Sequence, residues 1–172
     1  EFKDAGDFIV TIGALNGSIG GSEYLKTIHD TIQGPIPHLN MELEMGVQEL
    51  CLEAIKKGII KSAHDLSDGG LAINISESLM FSSPGLGAKL DLDRKLRTDE
   101  LLFGECQSLI IVTLEESALY ELVLLSKELD VHTQTIGRVT DTNTLVINDS
   151  INISRKKIEK AYFHSLERIM SK

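Results

Sequence analysis

Apolar residues recur along this chain with two periods, and each change of period marks a new element. "DFIVTIG" (residues 7–13) is dense in β-branched residues and ends on glycine, which predicts a strand. "ALNGSIGG" follows as a turn-rich loop, and "SEYLKTIHD" as a short helix that Ser22 can cap. "GPIPH" (34–38) breaks the chain. From Asn40, the apolar residues Leu43, Val47, Leu50, Cys51, Ala54 and Ile55 fall on one helical face. Glu42 and Glu44 near its start and "KKG" at its end suit the helix dipole and a glycine C-cap.

The alternation then predicts a strand at 59–63, a helix over 69–81, a turn at "SSPG" and a strand in "GAKLDLD". "TDELLFGE" reads as a short helix capped by Thr98. "QSLIIVTL" is almost continuously apolar, so it is expected in the buried middle of a sheet. "ESALYELVLLSKELD" places Ala118, Leu122, Leu125 and Leu129 on one helical face. "VHTQTIGRVT" alternates as a strand, and "TLVINDSINIS" as a hairpin turning at 148–150. Ser154 can cap a last helix that buries Ile158, Ala161, Tyr162, Leu166 and Ile169. The whole pattern predicts one α/β domain over 1–172, a mixed β-sheet with helices packed on its faces.

Composition narrows the partners. A formal net charge of -9 disfavours DNA, RNA or an anionic membrane, because phosphate binding relies on Lys and Arg. The two cysteines lack metal-ligand spacing, which points to free thiols in a reducing, cytoplasmic setting. The histidines form no zinc pattern, so no metal site is expected in the chain itself. No apolar run approaches a membrane span. A strand opens the chain almost at once, and we expect a domain cut from a larger protein, with an apolar face that meets its neighbour or forms a homodimer.

Three stretches could carry chemistry. In "HDLSDGG", a strand feeds a helix through Gly69 and Gly70, whose amides could face an anion. Asp65 and Asp68 would repel a bare phosphate there unless a cation bridges them, or they would instead bind N–H and hydroxyl groups of a ligand. The alternative is a well-made corner, with Asp68 as helix cap, Asp65 and Ser67 closing the turn, and His64 hydrogen-bonded at the strand end. In "GSIGGSEYL", Gly20, Gly21 and Ser22 offer amides and a hydroxyl to a phosphate, or form a plain loop with a serine cap. In "LLFGECQSLIIV", Glu105 and Gln107 stand just before the buried strand, where polar side chains of an α/β sheet often face a ligand crevice, or Glu105 is a solvated carboxylate at a helix end.

Together and in this order, "GGSEYL", "KSAHDLSDGGLA", "LLFGECQS" and "IGRVT" resemble the C-terminal domain of the phosphoribosylformylglycinamidine synthase family. "HDLSDGG" alone resembles the wider aminoimidazole ribonucleotide synthetase-like superfamily of kinases and synthetases. The resemblance implies a carbon–nitrogen ligase of purine biosynthesis that uses ATP, Mg2+ and ammonia delivered by a glutaminase partner. ATP would phosphorylate the amide oxygen of formylglycinamide ribonucleotide, and ammonia would displace phosphate. It implies upstream ATP-binding domains that hold most of the catalytic groups, and an inactive domain when alone. Carried over by motif, Gly20, Gly21, Ser22, His64, Asp65, Ser67, Asp68, Gly69, Gly70, Glu105 and Gln107 would line the cleft. The family usually has Ser where Cys106 stands, and often Arg where Leu109 stands. A non-catalytic scaffold remains the alternative of a different class.

Overall fold

The structure is a computed structural model that describes every residue except Arg94 and Lys172. In chain order the elements are β1 (Phe8–Ile12), α1 (Glu23–His29), α2 (Met41–Lys56), β2 (Ser62–Asp65), α3 (Gly70–Met80), β3 (Gly87–Leu90) and α4 (Thr98–Phe103). They continue with β4 (Ile110–Leu114), α5 (Leu119–Glu128) after a 3-10 turn, β5 (Thr133–Thr140), β6 (Thr144–Ile147), β7 (Ile151–Ser154), α6 (Arg155–Phe163) and α7 (Ser165–Met170). The strands form one 7-stranded sheet in the order β2-β4-β1-β5-β3-β6-β7. Its pairs are antiparallel except β3 with β6, so the sheet is mixed as the pattern predicts.

Strand alternation sorts the core onto two faces. Val10, Ile12, Val112 and Leu114 pack against Leu50 and Ala54 of α2 and Leu122 and Leu125 of α5. Ile9 and Ile111 face the other way, among Leu71, Ile75 and Leu79 of α3 and Leu101 and Leu102 of α4. β4 lies between β2 and β1 with four of its residues buried, which accounts for its nearly continuous apolar run.

Several local expectations are corrected. β2 begins at Ser62, because Ile59 turns back to donate to the Ala54 carbonyl at 2.9 Å and joins the α2–α5 core. Thr98 is the first residue of α4 and caps nothing; Asp99 takes the Glu100 amide at 3.0 Å instead. Ser154 precedes α6 without a side-chain cap. The last helix breaks at His164, and Ala161, Tyr162, Leu166 and Ile169 are exposed. Only its first turns reach the sheet, where Arg155 and Ile158 are buried; Tyr162 and Phe163 meet Phe81 edge-on at the surface. Ile55 likewise points to solvent at the end of α2.

Candidate functional site

The sheet register gathers the three motif stretches at one end. Ile110, at the start of β4, pairs with Ile12 at the end of β1 and with Asp65 at the end of β2. The loops that leave or enter these positions are 13–22, 66–69 and 104–109, so all three emerge side by side.

Their glycines pack first and present amides second. A Cβ on Gly20 would collide with the Pro35 carbonyl oxygen. A Cβ on Gly70, whose φ is +69°, would lie 2.7 Å from the Phe103 carbonyl carbon. The Gly21 amide donates to the Gln33 carbonyl at 2.9 Å, and the Gly70 amide to the Ser67 carbonyl at 3.2 Å. Ser22 is buried and caps α1: its hydroxyl accepts from the Leu25 amide at 3.3 Å and donates to the Ile19 carbonyl at 2.6 Å.

Asp68 does not cap α3, contrary to the corner reading. The cap position is Gly69, at φ +82°, and no side chain of the cap bonds there. With the chain in the left-handed region one residue before the helix, Asp68 swings outward and is exposed. The Gly69 amide is taken instead by Glu105 Oε1 at 2.8 Å, and the same oxygen accepts the Glu23 amide at 2.9 Å. A carboxylate from the third motif thus ties the first motif to the second. Glu23, Asp68 and Gly69 then line a mostly apolar cavity of about 320 Å3 with Ile28, Ile73 and Phe103.

His64 and Asp65 part company because successive strand residues face opposite sides of the sheet. His64 turns toward α3, with Nδ1 3.2 Å from Ser78 Oγ and Nε2 3.5 Å from Glu77. Asp65 faces the α2 side and opens, with Gln107, onto a cavity of about 560 Å3. That cavity has an apolar wall from Met41, Val47 and Leu109 and a polar rim that includes Glu44 and Gln48. Glu44 Oε2 accepts from the Ser108 hydroxyl at 2.6 Å and Oε1 from the Gln48 amide at 2.5 Å. These bonds, the one from Ser108 foremost, hold the Glu44 carboxyl below its ordinary range. Ser108 is buried at φ +57°, and its carbonyl oxygen packs so close to Gly13 that a Cβ there would collide with it. Sequence reasoning missed Glu44, Gln48 and Ser108. Glu44 was legible only as a dipole partner of α2, and a positive φ at a serine leaves no mark in the sequence.

Cys106 is a buried side chain, and burial pushes its thiol up. Leu109, where the family often has Arg, lies in the core. Among the described residues, no three His, Cys, Asp or Glu side chains come together to hold a metal. The acidic residues of "HDLSDGG" are split between the two cavities, Asp65 on one and Asp68 on the other, so among the described residues this loop does not fit Mg2+. No helix of the described residues is long and apolar enough to cross a membrane.

Residues 4–150 match the family described as "AIR synthase related protein, C-terminal domain". The phosphoribosylformylglycinamidine synthase subunit PurL of Alkaliphilus metalliredigens is 35% identical over 172 residues, 98% of this chain and 23% of the relative. The chain therefore spans about a quarter of the length of the curated relatives it matches. Among solved structures, Thermotoga maritima PurL complexed with FGAR superposes with a TM-score of 0.77 at 18% identity, covering 92% of this chain and 29% of that one. PurL from the same organism complexed with ATP gives 0.72 at 18% identity, covering 92% and 26%. The PurLQS structure gives 0.71 at 19%, covering 92% and 27%. At these identities the superpositions establish the fold.

Proposed function

This chain belongs to the family of AIR synthase related C-terminal domains, and from that membership we propose that it is the C-terminal domain of an ATP-dependent carbon–nitrogen ligase. The reaction is the conversion of formylglycinamide ribonucleotide to its amidine, with glutamine-derived ammonia as the nitrogen source. The observation that carries this reading is the similarity to PurL along nearly the whole chain, at 35% identity. The convergence of all three motif loops at one end of the sheet supports it.

In this reading the loops close one side of a cleft whose other side is an upstream ATP-binding domain. Asp65 and Gln107 offer acceptors and donors to a ligand from one cavity, and Asp68 from the other. Gly20, Gly21, Ser22, Ser67 and Gly70 shape the loops, and His64 braces β2 on α3. ATP and Mg2+ would be held chiefly by the neighbouring domain. A glutaminase supplies the ammonia, and the enzyme is cytoplasmic. Ile28, Ile32, Ile36, Met41 and Met45 are exposed next to the loop cluster, a patch that suits burial against that domain. The isolated chain would self-associate weakly through it, which sedimentation at rising concentration would register.

A scaffold reading draws on a different observation: Glu105 already satisfies the Glu23 and Gly69 amides from within. One experiment decides between them. The chain is substituted for the matching segment of the Alkaliphilus metalliredigens relative, and amidine formation from formylglycinamide ribonucleotide, ATP and ammonia is assayed. We expect an active chimera and no ATP hydrolysis by the chain alone. A folded chimera that still binds ATP but makes no amidine would favour the scaffold.

A further inference from the structure

Glu105 Oε1 accepts the Glu23 and Gly69 amides, each at the start of a different helix. Amides at helix starts have no partner within the helix and carry the positive end of its dipole. A carboxylate meets both with charge-assisted bonds. The surrounding packing fixes where that carboxylate can sit. The Glu105 amide donates to the Ser18 carbonyl at 2.8 Å. A Cβ on Gly104 would lie 2.8 Å from Gly17 Cα, and one on Gly70 would lie 2.8 Å from the Gly104 carbonyl oxygen. Tyr24 stacks on Phe103 with centroids 4.9 Å apart. Residues 103–105 are therefore wedged between the loop before α1 and the loop before α3, and the Glu105 side chain locks both to the wedge.

We infer that Glu105 is a positioning residue for the composite site. Its carboxylate does not meet a ligand; it sets the separation of the two loops that face the neighbouring domain. The inference rests on the ligase reading above for its functional consequence, but the clamp itself stands on the geometry. Both loops border the cavity that holds Asp68, so a shift of either displaces that carboxylate.

Two measurements test it. In the isolated chain, amide hydrogen exchange is followed at Glu23 and Gly69. Both should exchange faster by at least about tenfold in Glu105→Ala, which removes their shared acceptor. Glu105→Gln keeps an oxygen at that position and should restore protection at both. Exchange unchanged at either amide in Glu105→Ala, or no recovery at both in Glu105→Gln, overturns the clamp. In the chimera, Glu105→Asp keeps the charge but withdraws it by one methylene. We expect kcat to fall by about 10²-fold, the typical consequence of a misplacement near 1 Å, with KM little changed and Glu105→Gln retaining more activity than Glu105→Asp. Undiminished kcat in a folded Glu105→Asp chimera overturns the positioning role. An inactive unsubstituted chimera sinks the ligase reading instead, and the paired amide exchange then decides the clamp.

Discussion

The Arg155 guanidinium donates to the Ser82 carbonyl at 2.7 Å, closing the C-terminal end of α3 from the first residue of α6. It also donates to the carbonyls of Met80 and Ser83, at 3.1 and 2.6 Å, and pairs with Glu159 at 2.7 Å. The last carbonyls of a helix lack partners and form its negative end, so a buried cation there satisfies both needs. α3 begins at the site loop, and Arg155 anchors its far end.

Arg155→Met should leave the carbonyls of Met80 and Ser82 buried without this donor. We expect a loss of about 3 kcal/mol, within the range for breaking a buried charge network from one side. Arg155→Lys should recover only part of it, because an ammonium cannot spread over the same acceptors as the planar fork. Urea unfolding measures both. A Met variant as stable as wild type would contradict this account of how α3 ends.

Ser22 and Asp68 both precede a helix, yet only Ser22 caps one. Ser22→Ala should cost about 1 kcal/mol through the lost cap. Asp68→Ala should stay within about 0.5 kcal/mol of wild type, as exposed substitutions usually do. If the ligase reading holds, Asp68→Ala should still lower turnover in the chimera. Equal losses of stability for the two variants would mean that Asp68 does cap α3.

Glu44 provides a test in acid. Its carboxyl is held low, first by the Ser108 hydroxyl and then by Gln48. A depressed carboxyl contributes stability that is present above its unfolded pKa, about 4.3 for Glu, and is lost as pH falls through the lower folded value. Ser108→Ala removes the largest cause. The stability gap between wild type and Ser108→Ala should therefore be constant from neutral pH down to the ordinary Glu range and shrink below it. Urea midpoints collected from pH 7 down to about pH 3 would show this; a gap that widens in acid would exclude Glu44 as the partner that matters.

The elements were legible because each depends on neighbours in sequence. "QSLIIVTL" predicts its own central place, and the run from Leu43 to Ala54 its own buried face. The site was legible as three motifs but not as a geometry. The split of His64 from Asp65 follows from alternation, yet what each meets depends on α3 and α2, which the register brings there. The capping rule picked Asp68 because it sees only local chain; the group that takes the Gly69 amide stands 36 positions away. The apolar stripe through Tyr162, Leu166 and Ile169 predicted burial, but the helix breaks at His164 and all three stay exposed.

Gly58 and Gly70 share a φ of +69° and differ in what surrounds them. Around Gly58 a Cβ would meet nothing within 4 Å; at Gly70 it would press on the backbone of Phe103 and Gly104 at 2.7 to 2.8 Å. The left-handed conformation alone costs an L-residue about 1 to 2 kcal/mol, so Gly58→Ala should lose about that much. Gly70→Ala should lose the same plus an overpacking cost of roughly 1 to 3 kcal/mol, because neither backbone segment can yield as a flexible side chain would. The excess should come with displacement of residues 103–105, and so with weakened Glu105 bonds to the Glu23 and Gly69 amides. Urea unfolding gives the two losses, and amide exchange at Glu23 and Gly69 reports the displacement. Equal losses for the two variants would show that Gly70 is required for its φ alone, and that the wedge against Phe103 contributes nothing to the loop's position.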